Sequence, residues 1–187
     1  MWYHGPICFG HGKMDHVMLL DCMTLDFDYI PMNLAPYRIL LLNTNVAHNL
    51  ASSEYNNRRA QCEKGLAILQ EHFGRDISLR DVTPSMLDQC KETMGKTIYD
   101  RCRYVIEENS RVLRAVKALK EKDIVQFGSL LYETHLGLSQ KYEVSCPELD
   151  FLVDFSKERK EVLGARMMGG GFGGCTLNII QEDAITD

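Results

Sequence analysis

A run of glycines near the end of the chain is the strongest sign of chemistry in this sequence. From position 169 to 174 every residue except Phe172 is glycine, and each glycine costs conformational entropy on folding. Two explanations remain open: a tight, bulged hairpin, or a loop whose backbone N–H groups closely approach an anion or ligand. The run matches G-x-G-x-x-G, but a dinucleotide fingerprint needs a following helix, whereas residues 175–180 are predicted to be a strand.

A second polar group stands near the start of a predicted helix. Tyr55, Arg58 and Arg59 project from one side of that helix, and a phenol beside two guanidinium groups suits a polar ligand. The alternative is a structural role, in which Ser52 caps the helix and Arg59 pairs with Glu63. The residues alone leave both interpretations open.

The remaining reactive side chains favour structural roles. His48 and His135 are isolated, and Asp15 and Asp21 are expected at turns and strand ends. The seven cysteines form no C-x-x-C pair, which argues against a disulfide framework and a zinc site and favours a reducing compartment. The net charge of −5 without a basic stripe argues against nucleic acid. No apolar run of about 18 residues suggests a membrane span.

The hydrophobic pattern places these groups on two or three strands, then four or five helices, then two strands. Strands are predicted for residues 16–22, 26–31, 37–43, 163–168 and 175–180. Helices are predicted from Ser52, from Thr83 and Pro84, along residues 98–119 and 124–138, and after a capping box of Ser145 and Glu148. This order predicts an α+β domain with a mostly antiparallel sheet, helices packed on one face, and the glycine run in a turn between two paired strands.

Three blocks of the sequence are similar to a known family. They are NTNV (43–46) followed by ASSEYNNRRAQCE (51–63), then YEVSCPELD (142–150), then GARM (164–167) running into GGGFGGCT (169–176). The last resembles the third signature motif of the GHMP kinases, a superfamily of small-molecule kinases. Over about residues 9 to 180 the chain resembles the C-terminal half of a galactokinase.

The resemblance implies a GHMP-kinase C-terminal domain over residues 1–187, truncated at both ends, and the free thiols predict a cytoplasmic location. It implies ATP- and Mg²⁺-dependent phosphorylation of galactose to galactose 1-phosphate in the complete enzyme. Tyr55 would lie at the sugar. Five glycines would lie against the active site and the ATP phosphate loop: Gly169, Gly170, Gly171, Gly173 and Gly174.

The resemblance also implies that important parts lie elsewhere. The base aspartate, the sugar-gripping segment and the phosphate loop belong to the preceding half, and Met14-Asp15 does not replace that base. Ala47 stands where the family usually has Lys or Arg, and Met168 replaces the usual Thr. No catalytic or metal-binding residue is therefore assigned here, and the isolated chain is expected to be inactive.

Partners and alternatives follow from the same reasoning. An exposed apolar surface is expected where the N-terminal domain would pack, with self-association in its absence. The alternatives are a non-catalytic galactokinase-like remnant, a sugar-sensing binding module, or a fragment of an N-acetylgalactosamine kinase.

Overall fold

The computed structural model describes residues 11–46 and 51–185, without the side chains of residues 51–53. The elements follow the order expected from the hydrophobic pattern. They are β1 (His16–Leu20), β2 (Phe27–Pro31), β3 (Tyr37–Asn43), α1 (Ala51–Phe73), α2 (Pro84–Gln89), α3 (Lys91–Lys120), α4 (Ile124–Gln140), α5 (Pro147–Lys157), β4 (Val162–Met167), β5 (Cys175–Gln181) and a 3₁₀ turn (Glu182–Ala184). The α+β class is confirmed.

The strands form two antiparallel sheets. Strands β1 and β2 make a two-stranded hairpin, and the other three are ordered β3-β5-β4. In the larger sheet Asn43 lies opposite Cys175 and Met167 lies opposite Thr176. The glycine run therefore leaves the sheet at the end of β4 and returns into β5, which confirms the predicted turn between paired strands.

The helices bury their apolar stripes in two places. Leu69 of α1, Leu87 of α2 and Cys102 of α3 are fully buried in the main helical core. A smaller cluster of Val144, Leu149 and Met167 lies beside the glycine run. Helix α4 packs along β4, and α5 packs against β4 and β5. None of the helices in the described parts of the chain is long and apolar enough to cross a membrane.

The helix starts were predicted with mixed success. Thr83 is the cap of α2, and its side chain accepts a hydrogen bond from the Met86 N–H. The capping box at Ser145 is wrong, because Pro147 is the first residue of α5 and Cys146 takes the cap position. The Ser145 hydroxyl is instead buried without a hydrogen-bond partner among the described residues. Helix α1 already begins at Ala51, ahead of the predicted cap at Ser52.

Candidate active site

The glycine loop (168–174) joins β4 to β5 in a conformation with mostly positive φ angles. The φ angles are +81° at Gly169, +88° at Gly171, +59° at Phe172, +134° at Gly173 and +85° at Gly174. Hydrogen bonds close the base of the loop. The Met168 N–H donates to the Cys175 carbonyl at 3.0 Å, and the Thr44 N–H and hydroxyl both donate to the Gly174 carbonyl at 2.8 Å.

Packing explains part of the glycine content of this loop. A Cβ at Gly171 would overlap the carbonyl oxygen of Val144, and a Cβ at Gly173 would lie 2.9 Å from the carbonyl oxygen of Val46. Gly170 is different, because it is exposed and a Cβ there would meet no atom within 4 Å. The hairpin explanation therefore accounts for Gly171 and Gly173 but leaves Gly170, at the loop tip, without a structural cause among the described residues.

A short segment between α4 and α5, here called the supporting turn (141–144), carries the loop. The Phe172 N–H donates to the Val144 carbonyl at 2.8 Å, and the Val144 N–H donates to the Leu138 carbonyl at 3.0 Å. The ring of Phe172 packs against the small cluster that contains Val144 and Met167. The loop is thus held by both a backbone hydrogen bond and apolar contact.

Arg58 of α1 and Arg101 of α3 donate hydrogen bonds to the supporting turn. Arg58 donates from Nε to the Tyr142 carbonyl at 2.8 Å and from Nη2 to the Glu143 carbonyl at 2.9 Å. Arg101 donates to the Lys141 carbonyl, and its Nη2 lies 2.5 Å from the Glu143 carboxylate. Three consecutive carbonyls therefore accept hydrogen bonds from two guanidinium groups.

The group of Tyr55, Arg58 and Arg59 had two interpretations, ligand binding or a structural role. For the two arginines the contacts favour the structural role. Arg59 is exposed and pairs with Glu63 at 2.7 Å, as the structural alternative predicted. The guanidinium of Arg58 is engaged by backbone carbonyls and by Glu54. Both arginines therefore have the intramolecular partners that the structural interpretation requires.

Tyr55 lies near the N-terminal end of α1, half-buried, one turn before Arg58. Burial raises the pKa of Tyr142, and the neighbouring Cys62 thiol and Tyr55 phenol raise that pKa further. Tyr55 lies on the helix whose Arg58 contacts the supporting turn at Tyr142 and Glu143, and the glycine loop contacts the same turn at Val144. The roles of Tyr55 at the sugar and of the glycine loop at the phosphates stay predictions.

His135 has the structural role expected of an isolated histidine, while His48 lies outside the described residues. The buried Nδ1 of His135 accepts a hydrogen bond from the Met167 N–H at 3.2 Å, which places the proton of the neutral ring on Nε2. Nε2 lies 3.1 Å from an Asp150 oxygen, poorly aligned for a hydrogen bond, so that contact is mainly electrostatic. Burial lowers the pKa of His135 although Asp150 opposes this, which favours the neutral ring.

Two of the depressions on the surface of the described residues bear on the site. One, of about 360 Å³, lies beside the base of the glycine loop. It is lined by Asn43, Thr44, Pro147, Glu148, Phe151 and Leu152. The other, of about 390 Å³, lies between the two sheets and helices α3 and α4, and its walls are mainly aliphatic. Its carboxylate Glu108 is paired with Arg111, so this second depression offers no free base.

The acidic residues near the start of the described chain serve turns. Asp21 pairs with Arg80 at 2.7 Å and accepts a hydrogen bond from the Met23 N–H at 2.8 Å. Asp15 has a φ of +56° in the turn before β1. Within residues 11–46 and 51–185 no group of three or more His, Cys, Asp or Glu side chains could hold a metal ion.

The fold and the loop define a C-terminal domain of the GHMP kinase class. The family model described as "GHMP kinases C terminal" matches residues 115–185. The matched residues have the sequence of this domain, and the chain is homologous to galactokinases over most of its length, which confirms the resemblance found in the sequence. It is 49% identical over 171 residues to the galactokinase of Thermosipho africanus, across 91% of this chain and 46% of that protein.

Other relatives give the same relationship. The galactokinase of Thermotoga neapolitana is 46% identical over 173 residues, across 92% of this chain and 47% of that protein. The crystal structure of Lactococcus lactis galactokinase complexed with galactose matches with a TM-score of 0.86 at 36% identity, covering 93% of this chain and 45% of that chain. The chain thus spans about half the length of the relatives it matches.

The sequence did not reveal the arginine contacts. Arg58 and Arg101 lie on different helices, and the atoms they contact are mostly backbone carbonyls, which leave no trace in residue type. All of the turn except Lys141 lies within the block 142–150 that resembled galactokinases, but the φ of +53° at Glu143 could not be read from a glutamate. The one usable signal was the pair of arginines in the helix that carries Tyr55.

Proposed function

We propose that this chain is the C-terminal portion of a galactokinase, which contributes part of a site that phosphorylates galactose to galactose 1-phosphate. The observation that carries the proposal is the exposed tip of the glycine loop, where Gly170 needs to be glycine neither for packing nor for its φ angle. A backbone without a Cβ lets a phosphate group approach its N–H groups closely. The homology to galactokinases supplies the substrate class.

The loop fits a nucleotide phosphate through its backbone alone. ATP with Mg²⁺ would supply the phosphoryl group and neutralise part of its charge. The N–H groups at the exposed tip would donate to phosphate oxygens, while Gly171 and Gly173 keep the loop against the body of the domain. The loop contains no Lys or Arg, so positive charge at the phosphates would come from the part of the relatives that this chain does not span.

Tyr55 is the proposed sugar contact. It lies on α1 one turn before Arg58, whose guanidinium group donates hydrogen bonds to the turn that carries the glycine loop. A relative at 36% identity has been crystallised with galactose, which supports a sugar site in this fold. We assign the Tyr55 hydroxyl to a hydrogen bond with a sugar hydroxyl group.

Catalysis by this chain alone is not expected. Phosphoryl transfer depends on positioning and charge stabilisation, and the glycine loop itself carries neither a carboxylate nor a basic side chain. We propose that the base aspartate and Mg²⁺ contacts lie in the portion that the relatives possess beyond this match. The free cysteines favour a reducing, cytoplasmic location for the assembled enzyme.

An ADP-release assay tests this proposal in three samples with galactose and Mg-ATP. They are the chain alone, the chain mixed with the part of Thermosipho africanus galactokinase that it does not span, and a chimera in which the chain replaces the matching segment of that enzyme. We expect turnover in the chimera, and in the mixture if the halves assemble, but none in the chain alone.

The other outcomes are equally informative. Turnover by the chain alone would show that the chemistry lies within these residues. A folded but inactive chimera would favour the non-catalytic remnant or sugar-sensing module. Turnover with N-acetylgalactosamine in place of galactose would identify a fragment of an N-acetylgalactosamine kinase.

A further inference from the structure

We infer that Arg58 and Arg101 are positioning residues of the glycine loop. They hold the supporting turn (141–144), and the turn holds Phe172 and thereby the exposed tip at Gly169 and Gly170. The effect on the loop stands on the contacts described above. Its kinetic consequence rests on the proposed function.

The supporting turn needs external support because its backbone is unfavourable by itself. Glu143 has a φ of +53°, a conformation that costs a non-glycine residue free energy and persists only when the surroundings enforce it. The carbonyls of Lys141, Tyr142 and Glu143 all point to guanidinium groups. Together with the backbone hydrogen bonds from Tyr142 to Gly137 and from Val144 to Leu138, the two arginines therefore help to enforce this geometry.

Arginine is required here because one planar group spans two carbonyls. Nε and Nη2 of Arg58 donate to the consecutive carbonyls of Tyr142 and Glu143 at 2.8 and 2.9 Å. A lysine carries the same charge, but its three N–H donors sit on one nitrogen, so it cannot reproduce this planar fork. The side chains of Arg58 and Arg101 are only 11% and 3% exposed, so water cannot readily replace lost contacts.

The turn passes this constraint directly to the loop. The Val144 carbonyl accepts the Phe172 N–H at 2.8 Å and fills the space that a Cβ at Gly171 would need. Phe172 itself has a positive φ and packs beside Val144 and Met167. A shift of the Val144 carbonyl would therefore release both the hydrogen bond and the close contact that fix the loop.

Both arginines act through the turn and not on a ligand. Arg58 uses Nε, Nη1 and Nη2 on Tyr142, Glu54 and Glu143. Arg101 uses Nε on Gln61, in addition to its two contacts with the turn. Their loss is expected to alter loop geometry rather than to remove a substrate contact.

Hydrogen exchange on the chain alone, measured amide by amide, tests the effect on the loop. Arg58→Lys and Arg101→Lys should accelerate exchange of the Phe172 amide by about tenfold. The amide of Leu87, which donates to the Thr83 carbonyl in the main helical core, should change much less. Arg59→Lys and Arg103→Lys are the matched controls, because these arginines lie on the same helices and pair only with side chains.

A merely structural role would produce a different pattern. Equal acceleration at Phe172 and Leu87 would mean that the arginines stabilise the whole domain without positioning the loop, and unchanged exchange at Phe172 would overturn the inference. If Arg58→Lys does not fold, Glu54→Gln serves instead. It removes the negative charge that faces Nη1 while leaving both carbonyl contacts, and should change Phe172 exchange in the same direction by a smaller factor.

The chimera supplies the kinetic test. Arg58→Lys and Arg101→Lys should raise the KM for ATP at least about fivefold more than the KM for galactose, since the loop would contact the phosphates, whereas Arg59→Lys should change neither. Equal changes in both KM values would argue against positioning. An inactive chimera would contradict the proposed function but leave the exchange experiment valid. Failure of the proposed function and failure of the positioning inference are therefore distinguishable.

Discussion

The Nδ1 atom of His135 accepts a hydrogen bond from the backbone N–H of Met167 at 3.2 Å. Met167 is the last residue of β4 before the glycine loop, and β4 pairs with β5 alone among the described strands. The imidazole thus satisfies a buried strand-edge amide that has no neighbouring strand to receive it. A side chain of α4 thereby fixes the point at which the chain leaves the sheet.

This contact predicts a loss of stability in mild acid. Burial holds the pKa of His135 below its ordinary value near 6.5, so the unfolded chain takes up the proton first as the pH falls. The unfolded state then binds more protons, and the free energy of unfolding decreases below about pH 6.5, by at most about 1.4 kcal/mol per pH unit for one proton. Urea denaturation at pH 7.5 and 5.5 measures this change.

The matched variant is His135→Asn, whose side-chain oxygen can accept from the Met167 N–H without titrating. Its free energy of unfolding should be lower at pH 7.5 but should fall less between pH 7.5 and 5.5 than that of the native chain. Asp150, Asp154 and Arg166 also influence His135 and remain in both proteins. An identical pH dependence in the two would assign the acid sensitivity to other groups.

The glycine loop predicts opposite behaviour for two adjacent substitutions. Gly171→Ala should lower the free energy of unfolding by roughly 2 kcal/mol or more, since the methyl group overlaps the Val144 carbonyl at a φ of +88°. Gly170→Ala should change it by less than about 0.5 kcal/mol, because its Cβ enters open space. Urea denaturation of the two variants makes the comparison.

The same pair separates structure from function. In the chimera, Gly170→Ala should raise the KM for ATP although the fold is intact, because the methyl group stands where a phosphate would approach. Native-like stability together with native-like kinetics would remove Gly170 from the proposed phosphate contact.

Much of this architecture follows from residue types. Apolar runs, alternation and apolar stripes predicted every strand and helix described here. The Gly169–Gly174 run predicted the loop, because so many glycines are favoured only where the backbone adopts conformations that other residues avoid. The cap of α5 was missed, since Ser145 and Glu148 matched a capping box while Pro147 moved the helix start. The contacts of Arg58 with the turn depend on tertiary placement of backbone carbonyls, which local patterns do not encode.

The outer edge of β3 predicts self-association of the isolated chain. Among the described strands β3 pairs only with β5, and its Ile39 and Leu41 are 45% and 52% exposed. An exposed apolar edge strand is prone to pair with another chain. Light scattering at increasing concentration should show species larger than the monomer, and the doubly substituted Ile39→Thr, Leu41→Thr chain should show fewer of them.

Threonine is chosen because it retains strand preference while removing apolar surface. The control is Leu113→Thr on α3, a residue that is 65% exposed and lies away from the strand edge. A native chain that remains monomeric at high concentration, or a Leu113→Thr effect as large as that of the β3 variant, would contradict the prediction. Suppression of self-association by the complementary galactokinase half would show that the same edge receives the rest of the enzyme.

Tyr55 provides the most direct test of the sugar assignment. Tyr55→Phe keeps the half-buried ring and removes the hydroxyl, so the free energy of unfolding should change by less than about 0.5 kcal/mol. If that hydroxyl binds a sugar hydroxyl group, its loss should raise the KM for galactose in the chimera by about tenfold, with a much smaller effect on the KM for ATP. Tyr132→Phe is the control, because the Tyr132 hydroxyl is buried without a partner among the described residues; its removal should leave both KM values unchanged and should not destabilise the fold. A Tyr55→Phe chimera with a native KM for galactose, or one whose KM rises equally for both substrates, would place the sugar contact elsewhere.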